Sequence, residues 1–276
     1  MIVVTGATGK LGGAVVEQLL QLVPADQVAV SVRDPERVTA LRDRGVRVRA
    51  GDYADPADSF EGASAVLLVS APLIGDKQLA AHRSAVAAAV DAGAKRIFYT
   101  SHMGANPSSP FPPARGHAAT EEMLARSGVA YTALRNGYYA TTVPMLLRQA
   151  LETGELRVPA DGPIAWTTHA DLAAAIARIL IDGNVDGPTP PLTGPAAINM
   201  AEVAAIATRV TGRDIRHVAV SDDEFASGLP EFAATMLLGM FAASRDGDFA
   251  PADPTLASLI GRLATPLESF LRAALN

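Results

Sequence analysis

Short runs of β-branched residues alternate with longer amphipathic stretches through the first two-thirds of the chain, the pattern of βαβ units around a parallel sheet. After the opening run Ile2-Val3-Val4-Thr5, residues 28–32, 46–50, 65–69 and 97–100 predict strands two to five, and 130–134 a sixth. Asp34, Pro35 and a closing Gly45 supply an N-cap, a first-turn proline and a C-terminal glycine, so one short helix is expected between them. Residues 77–92 and 115–127 have helical composition and end at Ala92-Gly93 and Ser127-Gly128, each just before a strand. Beyond residue 140 the pattern loosens. A helix-like stretch at 143–151 precedes a Pro/Gly-rich passage at 154–163, a helix at 170–181 and a proline cluster at 188–195. From 201 onward the chain reads as helical and apolar, including Met236-Leu237-Leu238-Gly239-Met240-Phe241, and no internal repeat is visible.

Between the first strand and the first helix lies Gly6-Ala7-Thr8-Gly9-Lys10-Leu11-Gly12, followed by the apolar face of 14–20. Glycines at this spacing let the backbone turn sharply and bring main-chain N–H groups at a helix N-terminus up to a diphosphate. A phosphate loop of the nucleotide-triphosphatase kind is excluded, because Lys10 precedes Leu11 and the spacing is too short. The expected fold is therefore α/β, a Rossmann-type doubly wound parallel sheet. Residues 1–140 form the NAD(P)-binding core, with 164–195 returning to it, and 141–163 and 196–276 form a smaller, mostly α substrate-side lobe.

Composition narrows the chemistry. With 276 residues, 49% of them hydrophobic and 19% charged, the chain is of ordinary globular make-up. A net charge of −6 argues against a nucleic-acid partner, since duplex affinity is built from Lys and Arg neutralising phosphates. Cysteine is absent, which removes disulfides, thiolate metal sites, iron–sulfur clusters and thiol nucleophiles, so any redox chemistry comes from a cofactor. No basic leader and no 18-residue apolar stretch is present, so a cytoplasmic protein without a membrane partner is expected, with oligomer formation left open.

The cofactor's ribose is read about twenty residues beyond the last glycine, where an acid would hold the adenosine hydroxyls of NAD. Here Ser31-Val32-Arg33 stands at that corner, and Asp34 is committed to capping the next helix. An arginine suits a 2′-phosphate, which its planar guanidinium can grip through two oxygens, so NADP(H) is expected ahead of NAD(H). The competing reading makes Arg33 one solvated member of a set with Arg37, Arg42 and Arg44.

The motifs 4–13, Val32-Arg33-Asp34, Gly51-Asp52-Tyr53, Tyr99-Thr100-Ser101 and Leu134-Arg135-Asn136-Gly137 together resemble those of the NmrA-like branch of the atypical short-chain dehydrogenase/reductases. Within that branch the likeness is to bacterial quinone reductases and triphenylmethane-dye reductases. It is weaker beyond residue 140, through Thr168-His169-Ala170-Asp171 and Leu192-Thr193-Gly194-Pro195. The resemblance implies that the loop Gly6 to Gly12 and Arg33 hold the NADP phosphates and that Asp52 and Tyr53 lie near the adenine. It further implies that Ser70, Ala71 and Pro72 pass beneath the ribose and diphosphate, and that Thr100, Ser101, His117 and Asn136 line the nicotinamide side.

The Tyr-x-x-x-Lys pair of ordinary superfamily members, in which lysine lowers the phenol pKa for proton transfer, is missing. No lysine follows any tyrosine by four, and the chain has only Lys10, Lys77 and Lys95. The catalytic candidates are His117, where related reductases place a lysine, and Ser101. Glu121, one turn beyond His117, is expected to raise the imidazole pKa by proximity; the alternative is a half-buried histidine that shapes the pocket. His117 and Glu121 lack a third ligand nearby, so no metal site is expected, and no Gly-x-Ser-x-Gly elbow exists. Tyr138, Tyr139, Met145 and Phe241 are candidates for an apolar lid over a flat acceptor, with His102 and Met103 near the substrate's approach. The favoured activity is NADPH-dependent hydride transfer to a quinone-like or other conjugated small molecule. A non-catalytic NADP(H)-binding redox sensor of the NmrA kind is the alternative.

Overall fold

A computed structural model describes residues 1–275. The first half runs β1 (Ile2–Thr5), α1 (Lys10–Leu19), β2 (Val28–Val32), α2 (Thr39–Asp43), β3 (Arg47–Ala50), β4 (Ala65–Leu68), α3 (Gly75–Asp91), β5 (Arg96–His102), α4 (Pro112–Ala125) and β6 (Ala130–Asn136). Next come β7 (Tyr138–Tyr139), α5 (Thr142–Leu147), α6 (Ala150–Thr153), β8 (Glu155–Pro159), β9 (Trp166–Thr167), α7 (His169–Asp182) and β10 (Gly187–Pro188). The chain closes with α8 (Met200–Thr211), β11 (Arg216–Val220), α9 (Asp222–Ala226), α10 (Glu231–Arg245), α11 (Thr255–Ile260) and α12 (Leu267–Leu275).

Among the described residues the central sheet has seven strands in the order β10-β6-β5-β4-β1-β2-β3, each pairing parallel. Alternation along the strands sorts side chains to its two faces. Val4, Val30, Leu67, Phe98 and Leu134 pack toward α1 and α7, whereas Val3, Ala29, Val66, Ile97 and Tyr99 pack toward α3 and α4. Both faces are covered, which is why the strands read as apolar runs. The chain steps outward from β1 through β2 to β3, then crosses back to β4 on the other side of β1, so a crevice opens at the strand ends between β1 and β4.

Within the stretch 164–195, α7 lies against α1 and β10 extends the sheet beside β6, with Leu192 bridged to Asn136. Local expectations change: the stretch 143–151 divides into α5 and α6, and the passage 154–163 holds β8. The helix after β2 is broken into a 3-10 turn, Pro35–Val38, and the short α2, because Val38 turns its buried side chain inward with φ −131°. Asp34 does cap it, accepting from the Glu36 N–H at 3.1 Å, and Gly45 closes it at φ +88°. The C-terminal region also holds a strand where only helix was expected: β11 pairs in parallel with β8, Val218 opposite Arg157. That small sheet sits beside α8 and α9 over a core containing Met103, Phe111, Trp166, Phe241 and Phe249. Among the described residues no helix is long and apolar enough to cross a membrane.

Candidate functional site

The glycine turn is held by close packing as much as by flexibility. Gly6 has φ +63°, a region that disfavours side chains, and a Cβ there would lie 3.1 Å from the Val69 Cβ. Gly12 lies directly beneath: its Cβ would fall 2.3 Å from the Gly6 carbonyl oxygen. Gly9 is the N-cap of α1 and contributes no side-chain bond, so the first-turn N–H groups of this ten-residue helix are left for an anion. Ala7 and Leu11 are core residues that give the loop only their backbone, while Lys10 is exposed.

A cleft of about 800 Å³ starts at this loop. Its walls include the expected Gly6, Thr8, Gly9, Arg33, Asp52, Tyr53, Ser70, Ala71 and Pro72, and also Ser31, Gly51, Ala54, Lys77, Ala80, Ala81 and Ser84. The size suits a large organic ligand. Arg33 is 78% exposed, with its Nε 3.9 Å from Asp52 Oδ2, so a surface ion pair of little strength leaves the guanidinium free to turn to a phosphate. Tyr53 reaches across the cleft floor and donates to the Val69 carbonyl at 2.6 Å; burial raises its pKa. Reasoning along the sequence missed Lys77 and the small-residue face of α3, which carry no motif and become cleft wall only because α3 follows β4.

The ends of β4, β5 and β6 are held by a polar web, in which the expected Thr100, Ser101, His117 and Asn136 are buried and do not line this cleft. Thr100 Oγ1 accepts the Ser70 N–H at 2.8 Å. The Ala71 N–H donates to His82 Nε2 at 3.0 Å, and an amide N–H can only donate, so Nε2 is bare and the ring hydrogen is on Nδ1. That hydrogen faces Thr120 Oγ1 at 2.9 Å, and Thr120 donates onward to the Gly116 carbonyl at 2.8 Å. His102 is fixed likewise: its Nδ1 accepts the Gly104 N–H at 3.0 Å. Burial lowers both imidazoles to about 4. Nothing local in the sequence marks His82, whose partners lie eleven residues back and thirty-eight ahead.

The structure brings His117 next to Tyr99, with Tyr99 Oη 2.8 Å from its Nδ1, and stacks it on His102 with ring centroids 5.9 Å apart. The expectation for Glu121 is corrected. Arg135 takes its carboxylate at 3.1 and 2.7 Å and Ser101 donates to it at 2.6 Å, so it does not pair with His117. The imidazole accordingly lies well below its ordinary pKa, through burial first and then the neighbouring His102 and His82. Ser101, a catalytic candidate, has its hydroxyl hydrogen committed to that buried carboxylate. Asn136 is buried at the end of β6 with both amide atoms lacking a hydrogen-bond partner among the described residues.

The four lid candidates separate. Tyr138 belongs to an aromatic wall with His102, Phe111, Trp166 and Phe249, centroids 5.2 to 5.7 Å apart. Tyr139 lies against His169 at 4.3 Å, and Met145 is 52% exposed on α5. Phe241 is fully buried in the lobe core against Phe225 and has no surface to offer a ligand; α10 turns it inward, which its apolar neighbours in sequence concealed. Among the described residues no cluster of three or more metal-ligating side chains occurs.

A model of the NmrA-like family matches residues 1–271. The chain belongs to the NmrA-like family. Among NmrA-like proteins it is 38% identical to quinone oxidoreductase 2 of Escherichia coli (strain K12), over all of this chain and 99% of that one. A crystal structure of an NADPH-dependent quinone oxidoreductase from Escherichia coli complexed with NADPH superposes with a TM-score of 0.94 at 37% identity, covering both chains completely. The Citrobacter sp. triphenylmethane reductase complexed with NADP(H) gives 0.90 at 36% identity, over 99% of this chain and all of that one. The relatedness is thus end to end and includes the C-terminal lobe.

Proposed function

We propose that this protein is an NADPH-dependent reductase that transfers hydride to a quinone-like or other conjugated, electron-poor small molecule. What carries the reading is the open glycine cradle facing Arg33 across the cleft, in a chain aligned throughout with NADPH-dependent relatives. When bound, NADPH supplies the hydride. Gly6 to Gly12 with the α1 N-terminus would hold the diphosphate, Arg33 the 2′-phosphate, Asp52 and Tyr53 would flank the adenine, and Asn136 would meet the carboxamide. Tyr138, Tyr139 and Met145 would cover a flat acceptor. His117 would supply a proton to the reduced product in place of the absent Tyr-x-x-x-Lys pair.

NADPH oxidation followed by absorbance against a panel of quinones, azo and triphenylmethane dyes and simple carbonyls tests the activity. Turnover of quinones or dyes is expected; tight NADPH binding without any turnover would turn the reading to a sensor. Arg33→Ala is expected to weaken NADPH binding about 10- to 100-fold, the worth of charged hydrogen bonds to one phosphate, and to leave NADH affinity within about twofold. Titration of nicotinamide fluorescence with both cofactors reads this, and an equal loss for both would remove Arg33 from the 2′-phosphate.

A further inference from the structure

We infer that Tyr99 and Ser70 form a proton relay behind His117, which replaces on Nδ1 the proton that Nε2 gives to the reduced acceptor and so keeps the imidazole neutral during the transfer; the inference rests on the reductase reading. Tyr99 is fully buried on β5, and burial raises its pKa, so it works as a neutral hydroxyl and not as a phenolate. Its oxygen stands 2.8 Å from His117 Nδ1 and 3.4 Å from Ser70 Oγ, and its single hydrogen can serve only one of them at a time. Two arrangements of the same atoms therefore exist, one with the hydrogen bonds running toward His117 and one with them running toward Ser70. Passing from one to the other moves one proton along the line.

Both ends of the line are placed for this. Ser70 is partly exposed on the cleft wall, where water reaches it, and Gln78 Nε2 donates to its oxygen at 3.4 Å, leaving the Ser70 hydrogen free for Tyr99. At the other end His117 is 9% exposed, and its Nε2 has no hydrogen-bond partner among the described residues and is not among the sealed polar atoms. The ring lies beside His102, which in turn packs against Tyr138. His82 and His102 cannot substitute, since a backbone N–H occupies the accepting nitrogen of each.

The balance closes. Hydride from the reduced nicotinamide brings two electrons and one proton to a quinone and leaves a hydroquinone monoanion. The His117 Nε2–H bond breaks and its proton forms the second hydroquinone O–H. Nδ1 takes the Tyr99 hydrogen, Tyr99 takes that of Ser70, and Ser70 is reprotonated by water, which leaves the Nδ1–H tautomer. Before the next turnover Nε2 takes a proton from water and the Nδ1 hydrogen returns along the same line to solvent, so one solvent proton is consumed for each quinone reduced. A cationic triphenylmethane dye differs, because hydride addition to its central carbon gives a neutral product that needs no proton.

That difference supplies the experiment. Tyr99→Phe keeps the ring and removes the relay oxygen, and the ratio of kcat with 1,4-benzoquinone to kcat with a cationic triphenylmethane dye is expected to fall at least tenfold, within the range of proton-transfer catalysis. The solvent isotope effect on quinone turnover should rise, while NADPH affinity, read from nicotinamide fluorescence, reports that the cleft is intact. Ser70→Ala probes the outer end and should lower the same ratio if Tyr99→Phe does not fold. Equal slowing with both acceptors, or an unchanged ratio, overturns the relay and leaves the reductase standing. A wild-type protein that binds NADPH but reduces neither acceptor overturns both.

Discussion

Gly12→Ala is expected to weaken NADPH binding at least 100-fold and to lower the melting temperature, although it adds only one methyl group. The added Cβ would lie 2.3 Å from the Gly6 carbonyl oxygen, 2.7 Å from its carbon and 3.0 Å from the Thr5 carbonyl oxygen. All three are backbone atoms, so no rotamer change relieves the clash. Either α1 slides away from the sheet or the Gly6 turn opens. The first breaks the packing of Val15, Val16 and Leu19, which are fully buried, and the overpacking itself costs about 1–3 kcal/mol. The second moves the N–H groups that a diphosphate requires, and misplaced charged hydrogen bonds at about 1.5–3 kcal/mol each account for the expected loss of affinity. Gly228→Ala is the matched control, since its Cβ would meet nothing within 4 Å and its φ is not in the left-handed range. Cofactor titration and thermal melts of the two variants check the point, and a Gly12→Ala protein with unchanged affinity would mean that the loop is not the phosphate cradle.

The same glycines show why this half of the molecule was legible from sequence. A tight turn between a buried strand and a helix leaves few residue types that fit, so spacing alone carried geometry. Asp34 was equally readable, because capping is decided within two residues and leaves the cofactor corner to Arg33. Strands β1, β2, β4, β5 and β6 were found because burial on both faces demands apolar runs, whereas the two-residue edge strand β10 lies in a stretch that read only as a proline cluster. The region around His117 was harder. Glu121 stands one helical turn from His117, and local spacing paired the two, but Arg135 on β6 offers a two-point match to the carboxylate and Ser101 on β5 adds a third bond. Those partners arrive through parallel strand register, β5 beside β6, which periodicity does not reveal. Phe241 failed for a related reason: an amphipathic stretch says that one side is buried but not which core receives it. The strand β11 pairs with β8 from about sixty residues away, and its Arg-His-Val-Ala-Val run carries little apolar signal of its own.

Mild acid is expected to unfold the protein, with stability falling steadily as pH drops from about 6.5 to about 4. An unfolded histidine titrates near 6.5, whereas burial brings His82 and His102 down to about 4 and pushes His117 in the same direction. Between those values the unfolded chain binds protons that the folded chain refuses, so stability is complete above the unfolded pKa and drains away below it. For His82, which is 2% exposed, the displacement corresponds to about 3 kcal/mol once pH has passed through the folded pKa. His102 keeps more exposure and adds a smaller amount of the same sign, as does His169 beside Lys10. Asp161 works against the trend, because desolvation raises its pKa and protonation relieves it, but it is one carboxyl against several imidazoles. Protonation of His82 also has a local target. It converts the acceptor of the Ala71 N–H into a donor, so the 70–72 wall of the cleft should loosen before the whole fold is lost. Urea denaturation at pH 7 and pH 5, run beside NADPH titrations, is expected to show a lower midpoint and weaker binding at pH 5. Equal midpoints at the two pH values would require these histidines to be protonated within the fold, contrary to the hydrogen bonds that define their tautomers.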